Sequence, residues 1–373
     1  SVLTTASAGL SGTVAAETLT GTAGNDVIVG NGGADQISAG LGNDKVVLND
    51  SNVATLSASN ASNIDGGTGI NTLKLTGTEL VLDLTNATVK SKVDNFSVVD
   101  ITSNVNNLLK LNLLNVQTLS GVANNAATPV DESKMLVVNA DTGDAVVLQD
   151  AASWSVINSL SGSSLASTYG VAYGFSSTRR YSQYSKDGAT LFVDELAPVA
   201  DIVGTSGNNT LTGTANADVI FGNGGVDTIN AGTGNDTVIL NASSISALNA
   251  STNSAAINGE AGVNTLKISG VNQTLDLTNL TVSPKLDNFN VIDLKQGSGN
   301  RFKLHLDQVL SLAGGTDNAA TTGVDESKML VLQGNGGTPL NRLQVVDSGD
   351  WSSVTNLGGT SLQNTFGAEY GFE

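Results

Sequence analysis

Single aliphatic residues recur at every ninth position in two short blocks of the chain, with glycine and polar residues between them. They are Ile28, Ile37 and Val46 in the first block and Ile220, Ile229 and Val238 in the second. Each marks a very short strand with one inward side chain, and glycine allows sharp turns because it takes positive φ without a steric penalty. The pattern therefore predicts a narrow coil of short parallel strands, with two nonapeptides in each turn.

An acidic or amide residue lies two positions before each inward aliphatic residue, so alternate ones stack on the same edge of the coil. The stacked pairs are Asp26 over Asp44 and Asp218 over Asp236 on one edge, and Glu17 over Asp35 and Asn209 over Asp227 on the other. Two carboxylates at strand spacing, about 4.8 Å, repel by roughly 3–4 kcal/mol at an effective dielectric constant of about 20. A calcium ion reverses the sign, since it accepts about six to eight oxygen ligands in flexible geometry and glycine-rich turns expose carbonyls.

The sequence therefore predicts calcium sites on the first edge. On the second edge Asn209 brings no charge, and whether calcium binds there is left open. The alternative is that these segments are only polar turns rich in Gly, Asn and Asp. The strict nine-residue spacing, found in both blocks, favours calcium sites over simple polar turns.

The composition of the chain excludes several kinds of cross-link, metal site and partner. The 373 residues carry a formal net charge of −18, with no cysteine, one histidine and 43 glycines. The absence of cysteine excludes disulfides and thiolate metal sites, and the negative field argues against nucleic acid and anionic membranes as partners. We see no apolar stretch long enough to span a membrane and no signal peptide. The chain begins and ends within its repeats, as expected for a piece of a longer protein.

Similarity between the two halves extends beyond the nonapeptides and predicts two tandem modules. Residues 93–100 recur at 286–293, and residues 130–137 recur at 324–331. The first module is placed at 1–199, with a β-roll at about 12–50. The second is placed at 200–373, with a β-roll at about 204–241 and without a counterpart of the last strands of the first.

The fold class predicted for each module is all-β: a short parallel β-roll that runs on into a β-solenoid or a sandwich-like β region. Residues 66–74 repeat the nonapeptide with Asn71 at the acid position, which predicts that the coil continues with little or no calcium. A short helix or corner is expected at 113–119 and at 309–312, with little helix otherwise.

Three further motifs accompany the nonapeptides. They are Asp-Asn-Phe-x-Val-x-Asp at 94–100, Leu-x-Leu-x-x-Val-x-x-Leu-Ser at 111–120, and Gly-Asp-x-Val-x-Leu at 143–148 before Trp154. In this combination the chain resembles the repeat modules of large bacterial RTX adhesins, which leave the cell by type I secretion. The resemblance implies a secreted, cell-surface location, folding outside the cell on external calcium, and a role in cell adhesion or biofilm formation. The implied partners are calcium ions and neighbouring modules of the same parent chain, with possible self-association.

The resemblance also implies which residues bind calcium, through Asp side chains and loop carbonyls. They are Thr22, Gly24 and Asp26 with Ala39, Leu41 and Asp44 in the first module, and Thr214, Asn216 and Asp218 with Ala231, Thr233 and Asp236 in the second. Asn216 departs from the glycine of the repeat. Asn341 stands where the first module has Asp144, so the modules cannot share a calcium role for Asp144.

No enzymatic activity is expected. His305 is the only histidine, which rules out an H-E-x-x-H site, and no G-x-S-x-G motif occurs. Trp154 and the aromatic clusters at 169–175 and 366–372 favour packing over a sugar-binding face. Two alternatives to an adhesin repeat stay open: a lectin-like ligand-binding module, and the calcium-binding appendage of a secreted enzyme.

Overall fold

The computed structural model describes residues 2–4, 9–77, 80–102, 107–141, 144–149, 151–250, 254–295, 299–314, 325–334, 341–346 and 370. The chain divides into two compact units, Ser1–Val199 and Ala200–Glu373, which we call unit 1 and unit 2. Each is described separately below.

Unit 1 is built from very short strands. They are β1 (Val2–Thr4), β2 (Leu10–Ser11), β3 (Thr18–Thr20), β4 (Val27–Val29), β5 (Gln36–Ser38), β6 (Lys45–Asn49), β7 (Asn63–Asp65), β8 (Thr72–Thr76), β9 (Val81–Asp83), β10 (Val93–Asp94), β11 (Val98–Asp100), β12 (Leu108–Leu111), β13 (Met135–Asn139), β14 (Ala145–Leu148), β15 (Ser155–Ser161), β16 (Arg180–Lys186), β17 (Ala189–Asp194) and β18 (Val199–Ala200). The helices are α1 (Asp50–Leu56), α2 (Ala87–Lys90), α3 (Leu113–Thr118) and α4 (Gly162–Tyr169), with 3-10 turns at Glu132–Lys134, Ala151–Ser153 and Val171–Tyr173.

The strands of unit 1 stack as a solenoid. One sheet has the order β1-β3-β5-β7-β10, a second runs β2-β4-β6-β8-β11-β13-β17-β16-β15, and a third runs β9-β12-β14-β18. The pairing along the coils is parallel, as in β4 with β6, where Ile28 lies over Val46. The second sheet ends in antiparallel pairs, β17 with β16 and β16 with β15. The sandwich-like alternative is therefore wrong for this unit, since the nonapeptide coils pass directly into further parallel coils.

One inward aliphatic residue per short strand builds the core of the β-roll. Ile28, Ile37 and Val46 are at most 1% exposed. Farther along the chain, an aromatic cluster fills the space between the antiparallel strands and α4. The rings of Phe175 and Tyr181 meet edge to face at a centroid distance of 5.1 Å. Each coil buries too little apolar surface to be stable alone, so stability comes from stacking.

Unit 2 repeats this architecture in the residues that the structure describes. Its strands are β19 (Ile202–Val203), β20 (Thr210–Thr212), β21 (Val219–Phe221), β22 (Thr228–Asn230), β23 (Thr237–Leu240), β24 (Ala256–Asn258), β25 (Thr265–Ile268), β26 (Thr274–Asp276), β27 (Leu286–Asp287), β28 (Val291–Asp293), β29 (Arg301–Leu304), β30 (Val331–Gln333) and β31 (Arg342–Val345). Its helices are α5 (Ala242–Asn249) and α6 (Leu306–Leu312), with 3-10 turns at Ser283–Lys285 and Glu326–Lys328. The sheets run β19-β21-β23-β25-β28-β30, β20-β22-β24-β27 and β26-β29-β31.

The predicted all-β fold with parallel β-rolls is confirmed. Helices α3 and α6 occupy the two predicted helical corners. Helices α1, α2, α4 and α5 were not predicted. Helices α1 and α5 directly follow the roll, and each begins after an asparagine N-cap, Asn49 or Asn241, whose side chain accepts a backbone N–H. An Asn before an apolar stretch is a helix-start signal that was available in the sequence.

Candidate metal centre

The parallel register brings the predicted acid pairs together. Strands β4 and β6 pair Val27 with Lys45, so the preceding Asp26 and Asp44 lie on neighbouring coils. The Asp26 amide donates a 2.8 Å hydrogen bond to Oδ1 of Asp44. In unit 2 the Asp218 amide donates to Oδ1 of Asp236 at 2.9 Å. Two carboxylates are thus fixed one coil apart in each unit.

The first acid of each pair is held by its own loop. Both the amide and the hydroxyl of Thr22 donate to Oδ2 of Asp26, at 2.6 and 2.8 Å. Thr214 makes the same two bonds to Asp218, at 2.6 and 2.9 Å. Thr22 and Thr214 therefore orient the carboxylate, in addition to any role of their carbonyls.

In the second acid of each pair, one carboxylate oxygen accepts no hydrogen bond from the described residues. Oδ2 of Asp44 and Oδ2 of Asp236 are buried and have no hydrogen-bond partner in the part of the chain that the structure describes. Burial raises the pKa of the Asp44 carboxyl to about 6, and the nearby charge of Asp26 adds to the rise. Burial raises the pKa of Asp236 to about 6 in the same way, with Asp218 as the nearby charge. An unsatisfied buried acceptor costs about 1–3 kcal/mol, and more if it is charged, so both positions call for a cation.

Backbone carbonyls converge on the first acid. A Cβ atom built on Gly21 would lie 2.1 Å from the Ala39 carbonyl oxygen and 3.0 Å from Oδ2 of Asp26. The same point on Gly213 lies 1.9 Å from the Ala231 oxygen and 2.9 Å from Oδ2 of Asp218. Glycine is required here because any side chain would fill the space where a carboxylate and a carbonyl meet.

The remaining predicted ligands lie in the same stacked loops. The Leu41 amide donates to the Thr22 carbonyl at 3.1 Å, and Thr233 makes the equivalent bond to Thr214. These two carbonyls therefore already accept one hydrogen bond each. The Gly24 carbonyl faces Gly42 of the next coil, and the Asn216 carbonyl faces Gly234. The Leu41 side chain is largely exposed, so only its backbone can contribute to a site.

The donor set fits a hard divalent cation. Within the described residues no group of three or more His, Cys, Asp or Glu side chains gathers at one point. Each first-edge site therefore offers two carboxylates, and the rest of a coordination shell must come from carbonyls, as calcium permits. Asp26, Asp44 and the carbonyl of Ala39 would hold the ion in unit 1, and Asp218, Asp236 and the carbonyl of Ala231 in unit 2.

On the second edge the stacked residues are joined by the same kind of amide-to-carboxylate hydrogen bond. The Glu17 amide donates to Oδ1 of Asp35 at 3.0 Å, and Thr13 donates to both oxygens of Glu17, at 2.6 and 2.8 Å. In unit 2 the Asn209 amide donates to Oδ1 of Asp227 at 2.9 Å. The predicted pairs are therefore brought together here as well. Burial is the largest cause that raises the pKa values of Asp35 and Asp227, each to about 6.

Asparagine replaces the acid in the next coil of each unit. Oδ1 of Asn71 accepts from the Asp44 amide at 2.9 Å, and its Nδ2 donates to the carbonyls of Gly67 and Asn95 at 3.3 and 3.1 Å. Asn264 repeats this arrangement in unit 2, with the carbonyls of Glu260 and Asn288. The amide donor reaches carbonyl oxygens that a carboxylate can approach only through a cation.

Asp144 and Asn341, where the two units differ, are both satisfied by backbone groups. Asp144 accepts from the amides of Asn107 and Asp141 at 2.9 and 2.8 Å, and burial raises its pKa to about 7. Asn341 accepts from the Asn300 amide and donates to the Leu294 carbonyl. These contacts give both residues a structural role without a metal.

The other singled-out residues take part in folding contacts. Trp154 and Tyr173 are buried, whereas Trp351 and Phe366 lie outside the described residues. His305 is the residue before α6, and its amide donates to Gln308. Asp131 accepts from the amide and hydroxyl of Ser133. No helix among the described residues is long and apolar enough to cross a membrane.

Comparison with known proteins agrees with the geometry of the loops. The family model of the RTX calcium-binding nonapeptide repeat matches residues 11–46 and 203–238, with four copies in all. These ranges contain every acid of the stacked pairs in both units. No curated protein and no solved structure gives a significant match.

Proposed function

The chain carries RTX nonapeptide repeats, which bind Ca²⁺, in both of its units, and from this premise we propose that it is a structural segment of a large secreted cell-surface protein. In this proposal the segment folds and stiffens when it meets extracellular calcium. The observation that carries the proposal is the buried, unpartnered oxygen of Asp44 and of Asp236. A site absent from the unfolded chain converts its binding free energy into folding free energy.

Several features of the chain support a load-bearing role outside the cell. The sequence has no cysteine, so calcium takes the place of disulfides as the cross-link between coils. Two similar units in tandem suit a protein that extends by repetition. With the adhesin-like motifs at 94–100 and 111–120, this supports a spacer that presents a distal binding region in cell adhesion or biofilm formation. Its partners are then calcium and neighbouring modules.

We further propose that the segment is not an enzyme, not a lectin and not a nucleic-acid-binding protein. Trp154, Tyr173 and Phe175 are buried in the core rather than displayed to a ligand. The net charge of −18 repels polyanions.

Thermal unfolding of the full 373-residue chain tests the proposal. Circular dichroism and calorimetry would be recorded in calcium, in magnesium and in chelator. One site at a free calcium concentration of about 100 times its Kd adds about 2.7 kcal/mol, so calcium should raise the midpoint clearly and magnesium much less. The double variant Asp44→Asn with Asp236→Asn should lose most of this rise. A wild-type midpoint that calcium does not move would overturn the proposal.

A further inference from the structure

The two edges of unit 1 differ in the hydrogen bonding of the second acid of each stacked pair, which is Asp44 on the first edge and Asp35 on the second. On the first edge, Oδ2 of Asp44 is buried and accepts no hydrogen bond from any described residue. On the second edge, Oδ2 of Asp35 accepts a 2.9 Å hydrogen bond from Nδ2 of Asn52. Asn52 lies in α1 and is only 2% exposed. The helix thus supplies to Asp35 a hydrogen-bond donor that none of the described residues supplies to Asp44.

The Asn52 carboxamide uses all of its bonding capacity in this position. Its Nδ2 also donates to the Gly33 carbonyl at 3.3 Å, and its Oδ1 accepts from the Gly32 amide at 3.0 Å. Oδ1 also accepts from the Asn49 amide at 3.3 Å, so both N–H donors and both acceptor positions of the carboxamide are used. Together with the bonds from Glu17 and Thr13, every carboxylate oxygen of the Glu17–Asp35 pair has a partner.

Asn52 packs against the start of the loop that carries Asp35. A Cβ built on Gly30 would lie 2.7 Å from Oδ1 and 2.8 Å from Nδ2 of Asn52. The position on this edge that corresponds to Gly21 is Gly12, where a Cβ would lie 2.7 Å from Oε2 of Glu17 and 2.7 Å from the Gly30 carbonyl oxygen. The two edges therefore share this convergence and differ at Oδ2 of the second acid, which Asn52 satisfies in Asp35 and which no described residue satisfies in Asp44.

Unit 2 provides the natural contrast. Ser244 occupies the place of Asn52, three residues after the N-cap, and its hydroxyl bonds to Oδ1 of the N-cap Asn241 at 3.0 Å. A cavity of about 10 Å³, room for about one water molecule, remains beside Gly222, Asp227 and Ser244. The contact of Asn52 with Asp35 is thus a feature of unit 1.

We propose that α1 closes the Glu17–Asp35 edge of unit 1 with the Asn52 carboxamide, so that this edge folds without calcium while the Asp26–Asp44 edge requires it. The inference rests on the proposed calcium-dependent function and assigns the dependence to one edge of unit 1. The helix acts there as a built-in replacement for an ion.

The number of calcium ions bound by the full chain tests the first half of the proposal. Isothermal titration calorimetry and equilibrium dialysis would be carried out on the wild type, Asp35→Asn and Asp44→Asn. We expect Asp35→Asn to keep the wild-type number and Asp44→Asn to lose one ion. Loss of an ion in Asp35→Asn as well would overturn the proposal. A wild-type chain that binds no calcium would instead overturn the proposed function.

Asn52→Asp tests the contact from the side of the helix and leaves Asp35 unchanged. Replacing the donor by a third carboxylate should lower the midpoint of unit 1 in chelator by about 4 °C or more, and added calcium should recover the loss. Asn49→Asp is the matched control, since it adds the same charge to the same helix and aspartate remains a good N-cap. If Asn52→Asp and Asn49→Asp had the same thermal midpoint in chelator, the contact of Asn52 with Asp35 would not stabilise the calcium-free chain.

Discussion

The backbone amide of Asp44 donates a 2.9 Å hydrogen bond to Oδ1 of Asn71, one coil further along unit 1. Asp26 makes the same bond to Asp44 at 2.8 Å, so the three side chains form a ladder along one edge. Asp44 and Asn71 differ in the second polar atom of the side chain, which is an oxygen in Asp44 and a nitrogen in Asn71. Nδ2 of Asn71 donates to two carbonyls, whereas Oδ2 of Asp44 has no partner among the described residues. One change from Asp to Asn therefore separates a coil with an unsatisfied buried oxygen from a coil in which the corresponding atom is hydrogen-bonded.

Asp44→Asn should remove one calcium site and stabilise the calcium-free chain. The variant keeps an acceptor for the Asp26 amide and turns the bare oxygen into a donor. Gly40 holds the position in this loop that Gly67 holds beside Asn71, so its carbonyl is the expected acceptor. An unsatisfied buried acceptor costs about 1–3 kcal/mol, and the free energy of unfolding in chelator should rise by about that amount.

Urea unfolding with and without calcium measures both effects of Asp44→Asn. Asp94→Asn is the control, because it removes the same charge from a side chain that is 61% exposed. The control should leave the calcium-induced gain unchanged. If Asp44→Asn were less stable than the wild type in chelator, the ladder comparison with Asn71 would be wrong.

Asn71→Asp should have the reverse effect and make the next coil depend on calcium. A carboxylate at this position keeps one oxygen as the acceptor for the Asp44 amide but turns the other toward two acceptors, the carbonyls of Gly67 and Asn95. Without calcium we expect a loss of about 1–3 kcal/mol, of which calcium recovers a part. Asn25→Asp is a suitable control, since Asn25 is exposed and uses its Oδ1 as an acceptor for the Asn43 amide. A loss that calcium leaves unchanged would count against a cation-binding position at this coil.

The sequence was sufficient to predict the coil and the pairing of acids because both depend on local spacing. Ile28 over Val46 and Asp26 over Asp44 follow from a nine-residue repeat once two repeats make a turn. The coil at Asn71 was predicted for the same reason. The ligand carbonyls were named only through family resemblance, since backbone orientation is not encoded in spacing.

Asn52 was not predicted, because its role depends on where α1 packs. Helix α1 interrupts the repeat, and nothing in Asp-Ser-Asn-Val tells that the third residue reaches Asp35, 17 positions earlier. The N-cap Asn49 was a usable signal for the helix, but not for its contact. The aromatic cluster was expected to pack, but the sequence does not specify its partners, such as Phe192 of β17 for Phe175 in the loop before β16.

Stability in calcium-free buffer should fall as the pH rises from about 4 to about 6. Burial raises the pKa values of Asp44 and Asp236 to about 6, above the value of about 3.9 expected for an unfolded chain. In this range the folded chain binds more protons than the unfolded chain, so raising the pH favours unfolding. The pKa values of Asp35, Asp227 and Asp144 are raised in the same direction.

Calcium affinity should show the opposite dependence on pH. The ion needs ionised carboxylates, so protons compete with it and the affinity should weaken as the pH falls through about 6. Thermal midpoints in calcium-depleted buffer and calcium titrations, both at about pH 5 and about pH 7, measure the two trends. A calcium-free midpoint that is higher at pH 7 than at pH 5 would contradict the raised pKa values.

Gly21→Ala should abolish the Asp26–Asp44 site, whereas Gly24→Ala should leave it intact. A Cβ on Gly21 would lie 2.1 Å from the Ala39 carbonyl oxygen, so the methyl group takes the space where that carbonyl meets Asp26. A Cβ on Gly24 would meet only the Thr22 hydroxyl, 3.8 Å away, and alanine keeps the backbone carbonyl. Calcium titration should find one ion fewer for Gly21→Ala and the wild-type number for Gly24→Ala. Equal numbers would mean that the close approach of Ala39 is not what requires glycine at the first position of the loop.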